Sequence, residues 1–421
     1  MKIKIKNKNK KQYPPRQKKP IHCGIRLVLA VILILGFYTP GVGEKPKKEV
    51  NLEGIPANPL SGRIVFEKKG CIDCHSIDVF LEKTGPDLGR EKVFGSFYDL
   101  GSRLWNHAPR MAVQTDFLKK EWPTMSIDEL NKLISYLFFL RYLGEPGDAA
   151  RGKKLLKSKT CLNCHRIGKE GASRGISLDQ LTEYASPLYT AQVIWNHGPA
   201  MKKEMTARGI KPPTFGDKDI TDISAYLREY SRGQFAKRRY MSPGNPKTGA
   251  TLFEEKGCSK CHSILPDQPS KGAQLDKMKL HRSVTAIAAA MWNHGDIMER
   301  LIEEEKIPWP EFAGSEMADL IAFLYFYDYY GRPGNPGKGK QVFQAKSCIK
   351  CHGPDHPLTM ERPDLFATPT GLVSTMWNHV PYMHELTVTK NIDWPKLSET
   401  GLRDLYAYLV DWWQKDENKK K

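Results

Sequence analysis

Apolar residues recur every three to four positions from Ile127 to Leu143, with polar residues between them. This spacing places the apolar side chains on one face of an α-helix. Ser126 and Glu129 stand at its start in the arrangement of a capping box, in which each side chain bonds the other residue's backbone N–H. The chain shows no convincing alternation of apolar and polar residues, which a half-buried strand would require. The pattern therefore predicts an all-α fold.

The same pattern returns four times along the chain. Each copy opens with Asn or Asp, has Gly four residues later and a large apolar residue four further on, and ends in a helix that carries an aromatic residue. The opening residues are Asn58, Asp148, Asn245 and Asn335, the glycines Gly62, Gly152, Gly249 and Gly339, the apolar residues Phe66, Leu156, Phe253 and Phe343, and the aromatics Tyr136, Tyr226, Phe323 and Tyr408. Asn and Asp are good N-caps, so each copy is predicted to open with a short helix. We call the copies repeats 1 to 4.

Pro-Gly pairs separate the repeats, and we place the domain boundaries there. The junctions are Pro146-Gly147, Pro243-Gly244 and Pro333-Gly334. The predicted division is an N-terminal segment at 1–43, then domains at 52–145, 146–237, 242–332 and 333–416. The links are short, so the domains are expected to be close neighbours rather than beads on a long tether.

The N-terminal segment has the pattern of an export signal. Residues 1–26 hold ten Lys or Arg and no acid, an apolar run extends from Leu27 to Tyr38, and small residues follow to Gly43. These are the basic, apolar and cleavage regions of a secretory signal peptide. The apolar run is about a dozen residues, against the ~20 that span a bilayer. We expect export to the periplasm or cell surface with cleavage near Gly43; the alternative is an anchor in the inner membrane through residues 25–43.

The charge is positive but spread along the chain. The formal net charge is +18, and ten of these charges lie in residues 1–26, which leaves about +8 for the remainder. A modest positive charge suits an acidic protein partner or an anionic surface, and it also serves ordinary solubility. There is no Arg-rich stripe or motif for nucleic acid, so nucleic-acid binding is not expected.

Each repeat carries one Cys-x-x-Cys-His motif, and successive motifs are 90, 97 and 90 residues apart. This motif is the attachment site of c-type haem: the two thiols bond covalently to the haem and the imidazole ligates its iron. Eight of the nine cysteines lie in these motifs, so no pairs remain for a disulfide framework, and zinc modules use such pairs in another arrangement. We expect four covalently bound haem c groups. Their attachment residues are Cys71, Cys74, Cys161, Cys164, Cys258, Cys261, Cys348 and Cys351, and their first axial ligands are His75, His165, His262 and His352.

The order of helix, Cys-x-x-Cys-His, loop, helix and final aromatic helix resembles the class I c-type cytochrome domain. The resemblance covers residues from about 52 to 415, as four domains in tandem. It implies that the first and last helices of a domain cross, with Gly62 and Phe66 against Tyr136 in repeat 1. It also implies a proline in contact with the ligating imidazole. Pro86 in repeat 1 and Pro363 in repeat 4 are the candidates, whereas repeats 2 and 3 have no clear equivalent.

The repeats differ from that family in the segment that supplies its sixth iron ligand. Class I domains usually take it from a Met-Pro step before the last helix. This chain has Trp122-Pro123, Pro212-Pro213, Trp309-Pro310 and Trp394-Pro395 there. Since Trp cannot ligate iron, the sixth ligand must come from elsewhere or be absent.

A Trp-Asn-His-x-x-x-Met segment in every repeat offers two candidates, because residues four apart share one helix face. The resemblance implies His/Met ligation, so we favour Met111, Met201, Met298 and Met383. The histidines would then lie around the haem, with the neighbouring Trp and Asn packed nearby. The alternative is that His107, His197, His294 and His379 bind the iron and the methionines line the pocket. Repeat 4 has five fewer residues between its haem motif and its Trp, so its haem is expected to be differently exposed or tuned.

Haems with both axial positions filled exchange electrons with little rearrangement and bind small substrates poorly. We therefore expect an exported tetrahaem electron carrier, not an enzyme, that moves single electrons between a redox protein donor and acceptor. Acidic partners would match its charge, and membrane contact would be limited to the N-terminal segment. Two alternatives are a haem enzyme with one open iron, with repeat 4 as the first suspect, and a cytochrome subunit of a larger oxidoreductase complex.

Overall fold

The computed structural model describes residues 52, 54–77, 83–89, 96–142, 147–179, 187–230, 244–265, 270–278, 283–353 and 367–420. The predicted export segment at 1–43 lies outside them. Residues 48–421 cluster as one compact unit. In the described part of the chain, no helix combines the length and the apolar character needed to cross a bilayer.

The described residues form fifteen α-helices in a pattern that repeats four times. Repeat 1 contains α1 (Ser61–Lys68), α2 (Cys71–Cys74), α3 (Phe97–Phe117) and α4 (Ile127–Tyr142). Repeat 2 contains α5 (Ala149–Ser158), α6 (Pro187–Ala207) and α7 (Asp219–Tyr230). Repeat 3 contains α8 (Pro246–Glu255), α9 (Val284–Asn293), α10 (Gly295–Glu304) and α11 (Glu316–Phe326). Repeat 4 contains α12 (Pro336–Ala345), α13 (Ile349–His352), α14 (Pro369–Thr389) and α15 (Glu399–Lys420). The predicted helical fold class is confirmed, while the predicted domain bounds stay a prediction.

One small element departs from the strand-free expectation. Residues Arg166–Ile167 (β1) and Glu170–Gly171 (β2) pair as an antiparallel hairpin in repeat 2. Gly168 and Gly171 both have positive φ, which the tight reversal requires. Two residues per strand are too few to produce a visible alternation in the sequence.

The predicted caps hold with one exception. The side chains of Asp148, Asn245 and Asn335 each accept a hydrogen bond from a backbone N–H in the first turn of their helix, and Ser126 and Glu129 form the predicted capping box. The prediction for Asn58 is wrong, because α1 begins at Ser61, after a turn in which the Asn58 side chain accepts from Leu60 N.

A buried carboxylate explains the exception. In repeats 2 to 4 an Asp of the last helix accepts a hydrogen bond from the backbone N–H of the capping residue: Asp222 from Asp148 at 2.8 Å, Asp319 from Asn245 at 2.7 Å and Asp404 from Asn335 at 2.8 Å. Repeat 1 has Lys132 at the corresponding position, which offers no acceptor to the backbone of Asn58.

First and last helices cross in every repeat, as the resemblance implied. A Cβ on Gly62 would overlap the backbone of Lys132, and a Cβ on Gly249 would overlap that of Asp319. The ring pairs that follow the glycines are in contact, with centroids 6.4 Å apart for Phe66–Tyr136, 5.5 Å for Phe253–Phe323 and 5.6 Å for Phe343–Tyr408. Only glycine permits this close crossing, which brings the two helices together behind the cysteine motif.

The repeats also pack against one another. The larger core cluster takes its side chains mainly from repeats 1, 3 and 4, and the smaller one joins repeat 2 to Ala288, Ala289 and Trp292 of repeat 3. Between repeats 1 and 3 lies an aromatic cluster in which Tyr325 Oη donates to the Phe138 carbonyl at 2.9 Å. The expectation of close neighbours therefore agrees with the described contacts.

Candidate haem sites

Each cysteine motif follows a reversal of the chain. The residue before the first cysteine has a positive φ in all four repeats: Gly70, Thr160, Gly257 and Ser347. A left-handed residue at this point ends the first helix and redirects the backbone. One short helical turn then carries the two cysteines. Thr160 and Ser347 hold this conformation although they are not glycine, which marks a constrained turn.

The eight motif cysteines are free and half-buried. Burial raises the pKa of the first thiol in every motif, Cys71, Cys161, Cys258 and Cys348, to about 11. These four cysteines also pack against the core clusters. Their apolar surroundings are consistent with cysteines that form covalent bonds to an apolar group.

The histidines of the cysteine motifs are oriented by backbone carbonyls. Nδ1 donates to the carbonyl eleven residues later in repeats 1 to 3: His75 to Pro86 at 3.1 Å, His165 to Ile176 at 2.8 Å and His262 to Ala273 at 3.0 Å. This bond leaves Nε2 free to bind a metal. Repeats 2 and 3, which appeared to lack the expected proline, therefore have the contact, because a carbonyl of any residue provides it. Pro363 lies outside the described residues.

A glycine ten residues after each of these histidines makes room for the imidazole. A Cβ would come within 2.7 Å of the His75 ring at Gly85, 2.5 Å of the His165 ring at Gly175 and 3.0 Å of the His262 ring at Gly272. This glycine spacing is visible in the sequence, and sequence reasoning missed it.

Beside each of these imidazoles lies an apolar cavity. Its volume is about 610 Å³ in repeat 1, 400 Å³ in repeat 2 and 200 Å³ in repeat 3. The cavity volumes in repeats 1 and 2 are in the usual range of cofactor pockets, about 300–1,000 Å³. The first cysteine and the histidine of the motif line every one of the three. Thiols, a free imidazole nitrogen and an apolar cavity are the features that a covalent haem requires, so the residues fit that group.

Both sets of candidate sixth ligands line the cavities. Met111, Met201 and Met298 do so together with His107, His197 and His294. All four methionines, Met383 included, are half-buried and pack on a core cluster. His197 and His294 are exposed, and each donates from Nδ1 to the carbonyl four residues before it in the helix. His379 is exposed on α14.

Repeat 1 differs in the position of its second histidine. The rings of His75 and His107 both line the cavity and lie edge-on to each other, with centroids 6.4 Å apart and an angle of 61° between their planes. Burial lowers the pKa of His107, and the neighbouring His75 and Arg110 lower it further. A neutral imidazole is the form that binds a metal.

The Trp and Asn of the repeated segment form hydrogen bonds to another repeat, which the sequence did not predict. Trp105 Nε1 donates to the Pro395 carbonyl at 2.7 Å. Asn106 donates to the Leu397 carbonyl at 2.7 Å and accepts from Leu397 N at 2.8 Å. Repeat 4 returns the same bonds to repeat 1, from Trp377 to the Pro123 carbonyl at 2.7 Å and between Asn378 and Met125 at 2.8 and 2.9 Å. We call this set of reciprocal bonds a clasp.

Repeats 2 and 3 form a second clasp with the same geometry. Trp195 donates to the Pro310 carbonyl and Trp292 to the Pro213 carbonyl, both at 2.7 Å. Asn196 pairs with the backbone of Phe312, and Asn293 with that of Phe215. The described repeats are therefore paired 1 with 4 and 2 with 3. Sequence reasoning missed the pairing because the acceptors are backbone groups, which no side chain marks.

The clasp places tryptophans of one repeat in the cavity of its partner. Trp377 and Trp394 of repeat 4 line the cavity of repeat 1. Trp292 of repeat 3 lines the cavity of repeat 2, and Trp195 of repeat 2 lines that of repeat 3. Each of these three cavities is thus completed by residues from another repeat.

Comparison with known proteins identifies one part of the chain. Residues 149–231, most of repeat 2, match the family model described as Cytochrome c. No curated protein and no solved structure gives a significant match. Residues 149–231 are therefore similar to a cytochrome c domain, and this similarity suggests a covalently bound haem c and haem-based electron transfer.

Proposed function

We propose that the protein is an exported cytochrome with four covalent haems that carries single electrons between redox proteins. The observation that carries the proposal is the imidazole cradle of repeat 2, where the family model matches. The same cradle, with its glycine at ten residues and its carbonyl at eleven, recurs in repeats 1 and 3. Residues that position a haem ligand in one repeat thus recur with the same geometry in two others.

Repeat 4 shares the features that its described residues include. Ser347 has the left-handed conformation before the motif, and burial raises the pKa of Cys348 as in the other repeats. The Trp377 and Asn378 bonds match those of repeat 1. We therefore include a fourth haem, on Cys348 and Cys351 with His352 as ligand.

The chain's own residues bind the haem, orient its ligand and exclude water from it, while the haem supplies the one-electron chemistry. The carbonyl bond to Nδ1 keeps Nε2 unprotonated and fixes the ring plane, which also raises ligand basicity. The apolar cavity lowers the local dielectric, and such burial is one of the factors that set a haem's reduction potential.

For the sixth ligand we propose His107 in repeat 1 and Met201, Met298 and Met383 in the other repeats. Neutral imidazoles bind metals, and burial lowers the pKa of His107, so His75 and His107 would together hold the iron of repeat 1. The 6.4 Å separation of His75 and His107 supports a bis-histidine haem in repeat 1. Met201 and Met298, half-buried on their cavity walls, support His/Met ligation in repeats 2 and 3, and Met383 is half-buried at the same position of repeat 4. A thioether raises the potential relative to a second imidazole, so haem 1 has the lowest potential.

Export and protein partners are part of the proposal. The basic and apolar pattern of residues 1–43 supports export, and it agrees with the location where c-type haem is attached. Acidic redox proteins are the proposed donor and acceptor, since about eight net positive charges remain after residues 1–26 are set aside.

A reductive titration of the purified holoprotein, with carbon monoxide added at the end, tests the carrier function. We expect four electrons per chain to be taken up and returned reversibly, with no carbon monoxide bound by the reduced protein. Reversible uptake of fewer electrons would overturn the haem count. Carbon monoxide binding by a quarter of the haem would show an open iron and favour an enzyme.

A further inference from the structure

We propose that the haems act as two coupled pairs, 1 with 4 and 2 with 3, and that the tryptophan of a Trp-Asn-His segment belongs to the haem site of the partner repeat. This inference rests on the four-haem function proposed above. Electrons would then exchange fastest within these two pairs and not between repeats that are neighbours in the chain.

The first step of the argument is the position of the tryptophans. In repeat 2, Trp195 lies in the cavity wall of repeat 3, whereas His197, two residues later on the same helix, lines the cavity of repeat 2. Trp292 and His294 of repeat 3 have the mirrored arrangement. One turn of helix thus faces two haem sites at once, which explains why Trp and His recur at a constant spacing.

The second step is the stacking of the indoles at each clasp. The ring centroids are 4.3 Å apart for Trp105–Trp394, 4.5 Å for Trp122–Trp377 and 4.6 Å for Trp195–Trp309. These separations are those of aromatic rings in direct contact. Each of these contacts joins a tryptophan of one repeat to a tryptophan of its clasp partner, and one ring of every pair lies in a described cavity wall.

The third step is a match between residues of paired repeats. Pro109, Pro199 and Pro381 lie inside their helices, four residues after the Trp of repeats 1, 2 and 4. A proline has no N–H, so it leaves the carbonyl four residues earlier without its helical donor. The partner fills that place with an indole in two cases: Trp394 Nε1 donates to the Trp105 carbonyl at 3.1 Å, and Trp122 Nε1 to the Trp377 carbonyl at 3.0 Å.

The match extends to the second pair. Repeat 2 has Pro199, and its partner presents Trp309. Repeat 3 has Asp296 in place of the proline, and its partner has Pro212 in place of the tryptophan. An internal proline in one repeat thus occurs with a tryptophan in the partner that the structure pairs with it. Pairing in chain order, 1 with 2 and 3 with 4, does not match proline with tryptophan, since repeat 3 would then place Asp296 opposite Trp394 of repeat 4.

An ion pair adds a contact specific to repeats 2 and 3. Lys202 Nζ is 2.5 Å from Asp296 and lies 5.1 Å from the centroid of the Trp292 ring. The Lys202 side chain is largely buried between the two repeats. Asp296 therefore supplies a partner for this buried cation at the position where repeats 1, 2 and 4 have proline.

The proposed exchange moves one electron from one iron to the other within a pair, so one is oxidised as the other is reduced and no bond or proton changes. Because the Coulomb energy between two charges falls with their separation, the reduction of one haem shifts the potential of its pair partner most.

The test is a redox titration of the unmodified holoprotein followed by proton NMR of the haem methyl groups. The four sets of signals are assigned with Cys71→Ala, Cys161→Ala, Cys258→Ala and Cys348→Ala, each of which leaves one thioether on one haem. We expect the reduction of haem 3 to shift the midpoint potential of haem 2 at least about twice as much as it shifts that of haem 1. Haems 1 and 4 are expected to respond to each other in the same way. If the largest shifts in midpoint potential occurred between haems 1 and 2 and between haems 3 and 4, the proposed pairing would be overturned.

Two variants test the role of the indoles in the partner site. Trp292→Phe is expected to move the methyl signals of haem 2 more than those of haem 3, and Trp195→Phe to do the reverse. Trp412→Phe, on α15 and outside the walls of the described cavities, is the control. Movement confined to each tryptophan's own repeat would overturn the assignment. A protein with fewer than four haems would instead contradict the proposed function, so the two failures are distinct.

Discussion

Trp394 donates its indole hydrogen to the carbonyl oxygen of Trp105, 289 residues earlier in the chain, at 3.1 Å. Pro109 leaves this carbonyl without its helical donor, because proline has no N–H. The proline inside the helix therefore exposes an acceptor to which repeat 4 donates, and this bond joins repeat 4 to repeat 1. The equivalent indole of Trp309 is in a different state, since its Nε1 is buried without a hydrogen-bond partner among the described residues.

This difference predicts opposite effects of one substitution at two equivalent positions. Trp394→Phe removes a made hydrogen bond and is expected to lower the free energy of unfolding by about 1 kcal/mol. Trp309→Phe removes an unpaired buried donor and is expected to leave stability unchanged or raise it by about 1 kcal/mol. Denaturant unfolding of the oxidised holoproteins compares them directly. Equal destabilisation by both changes would contradict this reading of the clasp.

Asn196 makes two of the three side-chain bonds that repeat 2 contributes to the second clasp, and Trp195 makes the third. The Asn196 amide donates to the Phe312 carbonyl at 2.7 Å and accepts from Phe312 N at 3.0 Å. Asn196→Ala leaves two buried backbone groups without partners, which is expected to cost about 1–3 kcal/mol. Gln341→Ala, exposed on α12, is the control and should change stability by less than about 0.5 kcal/mol. A loss no larger than that of the control would show that the clasp does not hold repeats 2 and 3 together.

Gly175→Ala tests the imidazole cradle. A Cβ there would lie 2.5 Å from Cε1 of His165, too close for the ring to keep its position. We expect the axial bond of one haem in four to weaken, seen as high-spin features in the absorbance and EPR spectra. Gly216→Ala, whose Cβ would meet Asp219 only at ordinary contact distance, is the matched control. A low-spin spectrum in the Gly175 variant would rule out the close contact with His165.

The acid stability of repeat 2 depends on Asp219. Burial raises the pKa of this carboxyl, but a hydrogen bond from Gly216 N and the neighbouring Lys159 and Arg151 outweigh it, so the pKa lies below its ordinary value of 3.8. A group with a lowered pKa binds protons more readily in the unfolded state. Its stabilisation is therefore full above pH 3.8 and is lost as the pH falls through the lower, folded-state pKa.

Asp219→Asn is accordingly expected to reduce stability near neutral pH and to flatten its decline on acidification below pH 3.8. Denaturant titrations across that range check the slope. Glu255→Gln, exposed on α8, is the control and should leave the slope as in the unmodified protein. An unchanged slope in the Asp219 variant would contradict the role of this carboxylate.

The local features were predictable from the sequence because they depend on residues a few positions apart. The capping box of Ser126 and Glu129 and the cysteine motifs are of this kind, whereas the crossing of Gly62 with Lys132 was expected only from the resemblance to a known family. The hydrogen bond that Asp319 accepts from the backbone N–H of Asn245 spans 74 residues, and sequence reasoning missed it. The clasp spans up to 291 residues and ends on backbone carbonyls, for which no residue type is required. Its one trace in the sequence is the pairing of an internal proline with a distant tryptophan, as for Pro109 and Trp394.

The number of covalent haems tests the central claim most directly. The measurement is the intact mass of the denatured holoprotein, compared with the mass of the chain alone. Our account predicts an increase equal to four haems, which the denaturant does not release because both thiols of each motif are bonded. An increase equal to one haem, as the single match at residues 149–231 would require at a minimum, would contradict the tetrahaem account.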